Sequence, residues 1–163
     1  MTIRIISILK AKKKICFCQV FNGSVSQPFC KLLFKKKDLL FAVVDIETTG
    51  GSAQNDRIID FAAFITDGRE ILDSFSTLIN PERHIPGFIT GLTGIDNKMV
   101  EDAPVFSEVA SQIDFFTKDK IFVAHSVNFD FSFVKNEFKM LGHRYERKKL
   151  CTVRLSRRIF PVP

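Results

Sequence analysis

Two carboxylates stand two residues apart at the end of an apolar run, Phe41-Ala42-Val43-Val44-Asp45-Ile46-Glu47, and a turn, Thr48-Thr49-Gly50, follows at once. Side chains in a strand alternate between faces, so Asp45 and Glu47 point the same way. Like charges held at the end of an apolar strand repel each other and resist desolvation. A divalent cation relieves both problems, and carboxylate oxygens suit Mg²⁺ or Mn²⁺. Two acids merely closing a strand at its solvent edge would look the same, so the pair alone does not decide. A second stretch bears on it: Val123-Ala124-His125-Ser126-Val127-Asn128-Phe129-Asp130. It reads as a buried strand ending at Ala124 and a helix opening close to Asn128. Asp130 then falls in the first helical turn, where the helix dipole favours an anion. Helix capping by Asn128 or Asp130 is the plainer reading of this stretch taken alone.

The elements that must position these residues follow from periodicity. Phe41–Glu47 reads as a strand buried on both faces, the kind found in mid-sheet. Arg57–Thr66 reads as a second strand, Asp67-Gly68 as a hairpin signal, and Glu70–Leu78 as a third strand with Ile71, Phe75 and Leu78 toward the core. Residues 82–100 read as a loop with short helical turns. Asp102 as N-cap and Pro104 near the first helical position open a helix whose Phe106, Val109, Ala110 and Ile113 share one face. Ile121–Ala124 is a short buried strand. Phe131, Val134, Phe138 and Leu141 then form a helical stripe that Gly142 stops. Lys149–Val153 reads as the last strand, and Arg154–Ile159 as the start of another helix. The order predicts an α/β fold: a ribonuclease-H-like mixed sheet, three antiparallel strands and then parallel ones, with helices on both faces and the first strand central.

Composition bounds the rest. A length of 163 residues is one domain, and 45% hydrophobic residues suffice for a core. No apolar stretch is long enough to span a bilayer, so no membrane partner is expected. The apolar start precedes its basic cluster Lys12-Lys13-Lys14, the reverse of a secretory signal. Cys16, Cys18, Cys30 and Cys151 read as reduced thiols of a cytoplasmic protein, since no histidine lies near the first three to complete a zinc site. Residues 1–40 carry nine Lys or Arg against one acid, whereas the remainder carries 15 against 17. Residues 1–39 therefore read as a basic, weakly specified extension, in the first instance a solvated tail, and residues 40–163 as the domain proper. On that division the basic character belongs to the leader, and the domain alone is expected to hold DNA weakly.

Together the two stretches become specific. Val44-Asp45-Ile46-Glu47-Thr48-Thr49-Gly50 closely resembles the first motif of the DEDD-type 3′→5′ exonucleases, and Ala124-His125-x-x-Asn128-Phe129-Asp130 resembles their second. Asn80-Pro81, Ile95 and the Asp102-Ala103-Pro104 helix start add to the likeness, which is greatest to the epsilon-type proofreading exonucleases of bacterial DNA polymerase III and covers about residues 40–158. The resemblance implies hydrolysis of the 3′-terminal phosphodiester of DNA with two divalent cations, Mg²⁺ or Mn²⁺. By the same resemblance Asp45, Glu47 and Asp130 are catalytic, metal-binding carboxylates. Thr48, Thr49 and Gly50 match the part that holds the terminal nucleotide, and Leu92, Thr93 and Gly94 a loop bordering the terminal base. His125, Asn128 and Phe129 lie in the second motif. Phe129 suits base stacking, although with eighteen phenylalanines in the chain core packing is an equal expectation. A single-stranded or frayed DNA 3′ end and a DNA polymerase are the implied partners. The family's third motif, a histidine five residues before a fourth aspartate, has no match: His84 precedes Ile89 at that spacing and His143 precedes Lys148, while Asp130 after His125 already serves the second motif. The expectation is a truncated domain lacking its final helix, impaired by the loss of a base and a ligand, with Val153, Leu155 and Ile159 left exposed. Two other readings follow from the same residues: a non-catalytic fragment that binds nucleic acid or a polymerase, and an RNA exonuclease.

Overall fold

A computed structural model describes residues 39–161. Five strands form one mixed sheet: β1 (Phe41–Thr48), β2 (Ile58–Thr66), β3 (Ile71–Leu78), β4 (Ile121–Ala124) and β5 (Lys148–Cys151). Their order across the sheet is β3-β2-β1-β4-β5, so the strand bearing Asp45 and Glu47 is central. It runs antiparallel to β2 and parallel to β4, and β5 adds in parallel. The helices are α1 (Gly87–Thr93), α2 (Asn97–Val100), α3 (Phe106–Thr117), α4 (Asn128–Met140) and α5 (Thr152–Ile159). The expected mixed sheet and element order are thus present. The basic extension read over residues 1–39 lies outside the described residues, save Leu39 itself, as do Cys16, Cys18 and Cys30. Cys151 is a free thiol.

One face of the sheet carries the main core. Ala42, Val44 and Ile46 of β1, Phe61, Ala63 and Ile65 of β2 and Phe122 of β4 meet the apolar stripes of α3 and α4. Phe106 and Phe138 touch edge to face across the two helices. The other face of β1 is different. Val43, Asp45 and Glu47 are only half-buried, so the strand alternates and is not buried on both faces as expected. The physical reason is the carboxylates themselves: a face carrying two acids cannot be sealed.

A bulge interrupts the β1–β2 ladder. Glu47 pairs with Asp60 but Thr48 with Ile58, which leaves Ile59 as the extra residue. One extra residue turns the following side chain to the opposite face. Ile58 therefore enters the main core, while Ile59 joins Ile85, Ile89, Ile95 and Val100 in a second one beneath α1 and α2.

Four local expectations need correction. Ile71 is exposed, because β3 is an edge strand with only Phe75 and Leu78 packed inward. Asp102 does not cap α3. That helix starts at Phe106, where the Glu108 carboxylate accepts a hydrogen bond from the Val105 N–H at 2.9 Å. β5 ends at Cys151, and Thr152 and Val153 are already helical. Val153, Leu155 and Ile159 are half-buried, whereas Phe160 is the exposed apolar residue of that end. The stop at Gly142 holds: with φ +77° it takes the left-handed turn, and His143 N–H returns to Phe138 O at 2.9 Å.

Candidate active site

The carboxyl ends of the parallel strands β1, β4 and β5 lie side by side, the place where open α/β sheets bind ligands. The ladder between β1 and β4 covers only Phe41–Val43, so the far half of β1 extends past the end of β4. The chain leaving β4 turns at His125-Ser126 and enters α4, which brings Asp130 back against that overhang. Asp130 is almost wholly buried, and its carboxylate accepts hydrogen bonds from its own N–H and from the Ile46 N–H of β1. Neither Asn128 nor Asp130 caps α4, whose N-cap residue Val127 offers no side-chain bond. The plain capping reading of this stretch therefore fails, and Asp130 faces the sheet.

Electrostatics follow from this placement. Burial, with the neighbouring Asp45 and Glu47 charges adding to it, pushes the Asp130 carboxyl up to about 7. Burial also raises Asp45, against which His125 acts in the opposite direction. The structure thus brings Asp45, Glu47 and Asp130 into one electrostatic neighbourhood and sets His125 beside them. His125 is exposed, and its Nδ1 lies 3.1 Å from the Thr152 hydroxyl at the start of α5. Carboxylate oxygens suit a hard divalent cation. Among the described residues, however, no three His, Cys, Asp or Glu side chains are gathered at spacing that could hold an ion between them. The donor chemistry fits, and a complete cage is not built from side chains alone; Mg²⁺ is commonly held by one or two carboxylates together with substrate phosphates.

Thr48 and Thr49 are buried, and their hydroxyls are engaged within the loop. Thr48 Oγ1 donates to Gly50 O at 2.7 Å; Thr49 Oγ1 donates to Asp56 Oδ1 at 3.4 Å and accepts from Arg57 N–H at 3.0 Å. Asp56 folds so closely over Gly50 that a Cβ there would lie 2.5 Å from Asp56 Oδ2. On α1 Leu92 is 70% exposed, as is Phe88 at 71%. Thr93 is buried, donating to Ile89 O and accepting from Ile95 N–H, and Gly94 closes α1. Asn128 accepts from Lys149 Nζ at 3.1 Å. Phe129 is exposed on one side and packs on Phe133 with the other, centroids 4.9 Å apart, so stacking and core packing are not exclusive.

Sequence reasoning missed Glu137 and Arg57. Glu137 lies seven residues after Asp130, on the same buried face of α4. Its carboxylate takes Arg57 Nε at 2.9 Å, Arg57 Nη2 at 3.0 Å and the Ile58 N–H at 3.3 Å. Two buried carboxylates thus tie α4 to adjacent strands, Asp130 to β1 and Glu137 to β2. The signal was present: an acid between Val134 and Phe138 on an apolar stripe is a buried acid in need of a partner.

Comparison with known proteins comes to the same place. A family model described as Exonuclease matches residues 42–162. The PolC-type DNA polymerase III of Caldanaerobacter subterraneus subsp. tengcongensis is 47% identical over 120 residues, 74% of this chain and 9% of that protein. The 3′-5′ exonuclease DinG of Bacillus subtilis is 43% identical over 123 residues, 74% of this chain and 13% of that one. Among solved structures, exonuclease X in complex with 5′ overhanging duplex DNA superposes with a TM-score of 0.59 at 27% identity, covering 74% of this chain and 64% of its own. The chain thus spans only about a tenth of the length of the curated relatives.

Proposed function

The chain belongs to the exonuclease family, and on that footing we propose that it is a metal-dependent nuclease domain that removes nucleotides from the 3′ ends of DNA. The observation that carries the reading is the Asp130 carboxylate, buried against the overhang of β1 beside Asp45 and Glu47. Nothing in the packing of a strand end requires three acids to share one neighbourhood. A site that holds divalent cations against a phosphate does require them. Asp45, Glu47 and Asp130 would hold two divalent cations, Mg²⁺ or Mn²⁺. When bound, such a cation polarises the phosphate and lowers the pKa of a coordinated water.

The chain's own residues do the rest. The closed Thr48-Thr49-Gly50 loop presents a fixed wall to the terminal nucleotide, its hydroxyls already satisfied. Leu92 and Phe88 offer an apolar surface to a base, and Phe129 an aromatic face. His125 stands by Asp45 and is oriented by Thr152. The DNA preference and a polymerase partner rest on the names of the relatives, a PolC-type polymerase among them.

The test uses the 163-residue chain and single-stranded DNA labelled at its 5′ end, with Mg²⁺ or Mn²⁺, a chelator control and an RNA of the same sequence. Stepwise shortening is expected, and Asp45→Ala should lower its rate at least ~10²-fold, as loss of a cation worth several kcal/mol implies. Shortening that survives both the chelator and Asp45→Ala would overturn the reading. A folded chain that binds DNA and releases no product would make it a binding module, and faster release from the RNA would change the substrate.

A further inference from the structure

Charge within the domain is segregated to a degree that the division into leader and domain conceals. Residues 41–147 carry ten Lys or Arg against seventeen Asp or Glu, a net of −7. Residues 148–158 carry five cations, Lys148, Lys149, Arg154, Arg157 and Arg158, and no acid, a net of +5. These five lie on β5, the outer parallel strand, and on α5 that follows it. On α5 the positions i, i+3 and i+4 put Arg154, Arg157 and Arg158 on one face, and all three are exposed, while Val153, Leu155 and Ile159 are half-buried. Among the described residues none of the three arginines, nor Lys148, has an ion-pair partner, although the domain is rich in acids. Arginine that merely solubilises a helix has no reason to gather, unpaired, on one edge of an acidic body.

Position gives the edge a meaning. α5 starts at Thr152, whose hydroxyl contacts His125, which in turn faces Asp45. At 1.5 Å per residue, Arg154 lies ~3 Å and Arg157 and Arg158 ~8–9 Å along the helix from that contact. The cations therefore lead outward from the carboxylates. Lys149, held by Asn128 Oδ1 and lying 4.8 Å from the Phe131 ring centroid, fixes a further charge where β5 meets α4. Against a segment of net −7, this line gathers the five cations of residues 148–158 with no acid among them.

We propose that the β5–α5 edge is the track for the phosphates of a single-stranded polynucleotide upstream of its 3′ end, with Arg154, Arg157 and Arg158 as its cations. The proposal rests on the nuclease reading for the direction of the strand but not for the existence of the track. Binding is therefore measured in the full chain carrying Asp45→Asn, so that cleavage plays no part, with dT12 and dT3 as probes over a range of salt concentrations.

Replacing Arg154, Arg157 and Arg158 together by Gln should weaken dT12 binding on the order of tenfold or more at low salt. It should also flatten the dependence of log K on log salt by about 2, at ~0.7 per lost phosphate contact. The triple Lys variant should restore both. Binding of dT3, whose two internucleotide phosphates can meet at most two of the three arginines at once, should change less. Arg69→Gln with Lys118→Gln removes two exposed charges elsewhere and should leave affinity and slope as they are. An unchanged slope in the triple Gln variant, folded by circular dichroism, overturns the proposal. So does an equal loss for dT3 and dT12, which would mark a site for a single terminal phosphate. Should the triple variant not fold, Arg157→Gln alone is expected to flatten the slope by ~0.7, and failure to do so overturns it equally. Cleavage by the unmodified chain is scored separately, so a binding track without hydrolysis and hydrolysis without a track remain distinct results.

Discussion

At the scale of single residues the site depends on backbone as much as on side chains. Ser126 has φ +65°, the left-handed conformation that L residues other than Asn and Asp avoid. The hydroxyl has no partner among the described residues; what the position demands is the turn between β4 and α4, closed by Phe129 N–H to Ser126 O at 2.8 Å. Ser126→Asn should therefore stabilise the fold by ~0.5 kcal/mol. Urea midpoints measure this, and a destabilised Ser126→Asn would show that the turn tolerates serine for another reason. Asp45, Glu47 and Asp130 stood out in the sequence only when the two stretches were read together, since each alone also suits a strand end or a helix cap. The demand at Ser126 was not legible there, since a φ angle leaves no trace in composition.

Elements obey their periods where packing is one-sided and depart from them where it is not. The stripes of α3 and α4 were legible because both helices cover one sheet face. The fate of Ile71 was not, because alternation cannot say whether anything covers the end of an edge strand. Nor could the bulge at Ile59 be read, since an inserted residue looks like any other until the partner strand is known. The same limit hid the Glu137–Arg57 pair, whose members lie 80 positions apart. That pair fixes α4 along β2 and so sets where Asp130 meets β1. Glu137→Gln should cost about 2–3 kcal/mol, somewhat below the 3–5 typical of a fully buried broken pair because Arg57 is partly exposed. In a double-mutant cycle with Arg57→Met the coupling should exceed ~1 kcal/mol. Additivity of the two changes would mean that α4 is held by its apolar stripe alone.

For the molecule as a whole the buried acids set a pH dependence. Asp130 moves from its ordinary 3.8 to about 7 on folding, so between these values the folded chain binds more protons than the unfolded one. Stability contributed by neutral Asp130 is thus complete below about 3.8 and lost as pH rises through about 7. In chelator, Tm should fall between pH 5 and pH 8 more steeply than in Asp130→Asn, and Mg²⁺ or Mn²⁺ should recover the difference mainly at pH 8. Parallel pH profiles for the two proteins would put Asp130 in a solvated setting. No helix among the described residues is long and apolar enough to cross a membrane. The bulge has a mechanical consequence at this scale. Ile58 and Ile59 are consecutive, fully buried, and anchored in different cores. A peptide bond cannot stretch, so the small core beneath α1 and α2 is moored through β2 to the large one, and neither can slide along the strand without dragging the other.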